Sequence, residues 1–257
     1  DLDDQVNYGN YSGLIMDSTK WNHVVVTYSP TGVKIYLNGR VANAHTASMP
    51  ALNFTQAPFY INPDLHSQGG YFNGKIDEVK FYNYTLSQNE VREKMHLIES
   101  DPLSETGLVK YIQFNQIDPV TNSFYDVVNG SRIQTIQNSI ITSNAPVSTG
   151  TVFRNPNVSS GGLQDFPGAD LKMYLPTSGI YPNGEMVAFH LRSSPDQYPD
   201  SRPSVPGYFI LNNYGSNTAF TAPDSIVFSG LKQLYSSDEA GEFLIFRRNS
   251  FAFGNTW

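Results

Sequence analysis

The sequence contains no cysteine in 257 residues, which excludes disulfide staples, thiol nucleophiles, thiolate metal sites and redox switching together. Charge is also scarce: 15% of residues are charged, with 23 acidic against 16 basic side chains and no Lys/Arg-rich stretch. A net charge of −7 repels phosphate backbones, so nucleic acid is not an expected partner. No apolar run approaches the roughly 18 residues a membrane helix needs, so no transmembrane segment is expected. The opening Asp1-Leu2-Asp3-Asp4 has neither the basic nor the apolar region of a signal peptide. A Gly-rich phosphate loop, His-Glu-x-x-His and Gly-x-Ser-x-Gly are absent too, which removes nucleotide, zinc-protease and esterase readings.

What the chain has in quantity is 16 Tyr, 16 Phe, 20 Gly and 16 Pro. Aromatic residues favour pleated strands and Gly/Pro favour tight turns, so the composition predicts an all-β protein of many short strands. Asn22 to Tyr28 reads as a β-branched strand, Pro30-Thr31-Gly32 as a turn, and Val33 to Leu37 as a second strand closing on Asn38-Gly39. Phe59-Tyr60-Ile61 is a short strand, and Gly69-Gly70 opens a long one from Tyr71 to Tyr84. Ser87-Gln88-Asn89-Glu90 has capping-box spacing and predicts one short helix, with Val91, Met95 and Ile98 on its packed face. After Gly107 to Phe114, polar loops are expected to about Gly162. Further strands follow near Asp170–Leu175, Met186–Leu191, Tyr208–Asn212, Ser225–Phe228 and Phe243–Arg247. The expected organisation is a first domain at 1–100, a connecting region or second repeat at 101–162, and a C-terminal β-sandwich module at 163–257.

Four ordered elements carry a resemblance. They are Trp21-Asn22-His23, Tyr36-Leu37-Asn38-Gly39, Gly74-Lys75-Ile76-Asp77-Glu78-Val79, and Leu86-Ser87 with Glu90. In this order they resemble the C-terminal half of laminin-G-like, concanavalin A-like jelly-roll domains, over about residues 12 to 98. The resemblance implies a β-sandwich whose earlier strands are missing or come from elsewhere, either from residues 101–162 or from a complementing chain or further domains of the same polypeptide. A half sandwich alone would expose an apolar face and open strand edges. Gly107 to Gly130 is similar to the opening strands of the same family. Gly207 to Asn217 loosely resembles β-rich modules of large surface proteins of the Bacteroidetes group.

The resemblance makes Trp21, His23, Tyr36, Asn38, Gly39, Gly74, Asp77 and Glu78 the fold motif. Trp21 and His23 alternate along one strand face and could form a sugar platform, although a core Trp beside a hydrogen-bonded His fits the family better. Asp77 and Glu78 invite a glycosidase reading, but neighbours on a strand face opposite sides and cannot flank one bond without a bulge. Sugar-cleaving relatives carry a same-face carboxylate set that this chain lacks, so no enzyme is expected and no catalytic residue is assigned. Calcium is the one cofactor candidate, since related domains often bind it through hard oxygens. Asp64 and Asp77, with the Asp1/Asp3/Asp4 cluster, are its candidate ligands, against the reading that these acids are solvated or cap turns. Tyr8, Tyr11, Tyr60, Tyr71 and Phe72 are the candidates for stacking on a glycan or partner, against ordinary edge packing.

The expectation is a non-catalytic binding module of a secreted or cell-surface protein, on the bacterial outer-membrane exterior, holding glycan or a surface protein through loops at the sandwich rim. The alternative is a structural or adhesin component of a large outer-surface assembly with no small-molecule ligand.

Overall fold

The computed structural model describes residues 16–51, 74–134, 145–195, 207–229 and 247. They form an all-β protein of antiparallel sheets with a single α-helix. β1 (Val24–Ser29), β2 (Gly32–Leu37) and β3 (Arg40–Thr46) make a meander in the order β1-β2-β3, joined by the two tight turns that the sequence announces. Asn38 and Gly39 both take positive φ, 50° and 76°. Such backbone suits a two-residue hairpin and selects Asn-Gly.

Helix α1 (Gln88–Lys94) begins where the capping box predicts. Ser87 accepts the amide of Glu90 and the Glu90 carboxylate accepts the amide of Ser87. Arg92 and Lys94 in its last turn face the negative end of the helix dipole. Val91 and Met95 are buried, and Val91 packs with Tyr36, Leu86, Val25 and Tyr82 against the inner face of the meander.

β4 (Val79–Tyr82) pairs with β5 (Leu108–Ile112), so the segment after the helix returns beside β4, and the elements up to residue 134 make a first unit, those from residue 150 a second. The long strand expected from Tyr71 is shorter than its sequence pattern: residues 74–78 are not extended into the ladder, because Glu78 turns at φ 55° before β4 begins. The region expected as polar loops also holds strands. β6 (Ser123–Tyr125) pairs with β7 (Arg132–Gln134), and β8 (Gly150–Asn155) and β9 (Gly162–Phe166) enter the later sheets. Their Asn, Ser and Gly content hid them, since each is a short strand between tight turns.

β10 (Leu171–Leu175), β11 (Met186–Leu191), β12 (Tyr208–Asn213) and β13 (Ser225–Phe228) complete two three-stranded sheets, ordered β13-β10-β9 and β12-β11-β8. Their facing sides enclose Phe166, Leu171, Met173, Leu175, Met186 and Ala188 as a sandwich core. The opposite side of β12-β11-β8 is also covered. Val187, Phe189 and Leu191 lie there with Ile210, Tyr214 and Leu97 from the segment following α1. β11 is thus buried on both faces, which is why it reads as an almost unbroken apolar run rather than an alternating one.

Candidate functional site

Three sets of side chains carry the chemistry of the described residues. The first is the turn between β2 and β3. The Asn38 side chain accepts the amide of His23 at 2.8 Å, the Asn38 amide returns to the His23 carbonyl at 2.8 Å, and Asn38 Nδ2 donates to Asn22. Trp21, Asn22 and His23 precede β1 rather than lying in it, so Trp21 and His23 do not alternate along a strand face. His23 Nδ1 is buried without a hydrogen-bond partner, and burial holds the imidazole neutral by pushing its pKa down to about 3. Tyr36 is buried in the core behind the same turn. These residues fix the fold.

The second set surrounds the Asp-Glu pair. Asp77 Oδ1 accepts the Glu78 amide at 3.0 Å, while the Glu78 carboxylate accepts the hydroxyl of buried Tyr111 from the neighbouring strand. Lys80 faces Tyr111 across the β4–β5 ladder, with its ammonium 4.9 Å from the ring centroid, 2.8 Å from the Leu97 carbonyl and 3.4 Å from a Glu99 oxygen. Burial, together with the charge of Asp77, raises the Glu78 pKa to about 7, against the Tyr111 hydrogen bond and Lys80. Burial also lowers that of Lys80. A carboxyl group held this way is a poor fit to an open acid-base pair, because its partner oxygens are already engaged inside the protein. Gly74, the remaining motif residue, is exposed at the entry to this segment.

The third set was not legible from any motif. His96, one residue past the helix cap, is buried and meets Phe189 edge-on at 4.8 Å. Its Nδ1 lies 2.8 Å from the Pro146 carbonyl and its Nε2 lies 3.3 Å from Asn212 Nδ2. A neutral ring with the proton on Nδ1 satisfies both contacts, in keeping with a pKa that burial lowers to about 4. Beside it, Arg92 donates to the Gly39 carbonyl and pairs with Glu185 at 3.0 Å, its guanidinium lying 4.1 Å from the Tyr214 ring centroid. Asp126, in the stretch similar to the family's opening strands, is fully buried and accepts the amides of Tyr111 and Val128, which holds the loop after β6 against β5.

The glycan candidates Tyr8, Tyr11, Tyr60, Tyr71 and Phe72 and the calcium candidate Asp64 lie outside the described residues, as do Asp1, Asp3 and Asp4. Among the described residues no group of three or more His, Cys, Asp or Glu side chains converges as a metal would require. A shallow groove of about 290 Å³ runs between Leu97, Glu99, Ser100, Thr149 and Arg192. It contains neither Asp77 nor Glu78. Among the described residues, no helix is long and apolar enough to cross a membrane.

Comparison with known proteins agrees with this architecture for the first unit. Residues 3–92 match a laminin-G family model described as the concanavalin A-like lectin/glucanases superfamily, in keeping with the all-β fold. Among solved structures, the chain is similar to an S-layer domain-containing protein, residues 221–444, from Clostridium thermocellum. The identity is 22%, the TM-score 0.24, and the match covers 31% of this chain and 41% of that one. No curated protein matches the chain.

Proposed function

We propose that this chain is a non-catalytic binding module of a secreted or cell-surface protein, holding a glycan or a protein partner through loops at one rim of its first unit. The observation that carries this reading is the jelly-roll match over residues 3–92 together with the fate of its motif acids: Asp77 and Glu78 are engaged with a backbone amide and a buried tyrosine. The fold commonly serves recognition, and the acids that could have performed glycan cleavage serve the scaffold instead. A cysteine-free, acidic, Tyr- and Asn-rich chain suits a bacterial exterior. Glycan-array binding by the purified chain, in calcium and again in chelator, tests the reading. Binding lost in chelator supports calcium-dependent recognition, and binding kept in both supports recognition without calcium. Release of reducing ends from a glucan by the chain overturns the non-catalytic reading.

A specific observation favours the alternative role in a surface assembly. On the outer side of the β1–β2 pair, Val24 and Val26 are 47% and 63% exposed and stand opposite Leu37 and Ile35. Exposed valines in a row on a strand are natural contacts for a neighbouring molecule. Sedimentation at increasing concentration separates the two roles. Reversible association that Val26→Ser abolishes supports assembly, whereas a concentration-independent monomer opposes it.

A further inference from the structure

The β2–β3 turn of the first unit meets the start of β11 and the end of β12 in the second in a contact made, apart from Gly39, by residues outside the fold motif. Gly39 lies so close to the second unit that a Cβ added there would sit 2.5 Å from the Tyr214 hydroxyl oxygen and 2.9 Å from Met95 Cε. Its carbonyl accepts Arg92 Nε at 2.9 Å and Gln88 Nε2 at 3.3 Å, which ties the turn to helix α1. Arg92 then reaches Glu185, whose second oxygen accepts Arg154 at 3.1 Å, and Arg154 returns to Glu93 on the helix at 3.1 Å. Both Arg92 and Glu185 are largely buried, so their charges are weakly screened and mutually dependent. Tyr214 has the Arg92 guanidinium at 4.1 Å and that of Arg40 at 5.4 Å from its ring centroid, while Arg40 also donates to the Asn213 carbonyl at 2.9 Å. Beneath this, His96 and Leu97 from the first unit enter the face of β11 and β12.

We propose that this arginine–tyrosine–glutamate contact is a lock that makes the two β units one rigid body, so that the chain works as a stiff arm and not as two beads on a tether. Covalently linked domains ordinarily move relative to each other unless their interface is large and apolar. Here a buried apolar contact and a closed circuit of ion pairs act together across the same interface. The proposal does not depend on which ligand, if any, the first unit holds.

The natural absence of cysteine makes the test direct. Spin labels on Lys34→Cys in β2 and Ser225→Cys in β13, both exposed, report the distance between the units in the full chain by pulsed electron resonance. One narrow distance peak is expected, and a broad or multiple distribution in this otherwise natural background overturns the proposal. Adding Arg92→Ala with Tyr214→Ala is expected to broaden the peak while circular dichroism retains the β signal, and a peak that stays equally narrow overturns the role of these residues. Should that pair not fold, Glu185→Gln, which keeps shape and removes charge, is expected to broaden the same peak, and an unchanged peak again counts against the lock.

Discussion

Two sheets of the molecule solve opposite problems. In the meander, β1 buries Thr27 inward and leaves Val24 and Val26 outward, so among the described residues it is covered on one side only. In the later sheet, β11 is covered on both sides, by the sandwich core and by the segment following α1. The comparison teaches that apolar content does not by itself reveal burial. Val24-Val25-Val26 and Val187-Ala188-Phe189 read alike as runs, and only the layers packed on them decide which is core.

The largest break in that comparison is at Phe189. Its truncation to Ala removes a fully buried ring that meets His96 and is expected to cost about 3–5 kcal/mol, measured by urea unfolding of the full chain. On the meander, Val26→Thr should change stability by less than about 0.5 kcal/mol in the same experiment. A large loss at Val26 would mean that its face is covered after all.

Glu78 offers a second contrast through pH. Its folded pKa, about 7, is raised above the ordinary carboxylate range, so the folded state holds a proton that the unfolded state releases between roughly pH 4.5 and 7. The contribution is fully present at acid pH and is lost as pH rises through 7, so Glu78→Gln should gain on the natural chain by on the order of 2 kcal/mol between pH 5 and pH 8. Parallel melts at the two pH values read the difference, and equal curves would remove the buried-acid account. His96 runs the other way. With its pKa lowered to about 4, its contribution is intact above the usual histidine range and is lost as pH falls through 4. Ser87→Ala, which removes the helix cap, should cost about 1 kcal/mol by the same unfolding assay.

Much of the first unit was legible. Asn-Gly, the capping box and the β-branched residues of β1 and β2 each state a local rule that the chain obeys, and Met186–Leu191 and Ser225–Phe228 follow from composition alone. β8 and β9 were not legible, because they sit in a stretch whose Asn, Ser, Gly and Pro content speaks for turns, and their strand state comes from pairing with β11 and β10. The acids Asp77 and Glu78 were visible as residues but not as a cluster. It takes the β4–β5 register, which sets Lys80 opposite Tyr111, to show where Glu78 sends its carboxylate. Arg92, Glu185 and Tyr214 carried no signal at all, since residues far apart in sequence meet only through the packing of two sheets.

The Asn38–Gly39 turn also decides where this molecule can be engineered. A hairpin tip is ordinarily the place to insert a tag or an epitope, but this one is sealed beneath Tyr214 and the side chain of Met95. An inserted peptide there would prise the units apart. The tip at Pro119–Val120, where Val120 is 90% exposed and Asp118 closes the turn through its own side chain, is the site that should accept foreign sequence without disturbing either sheet.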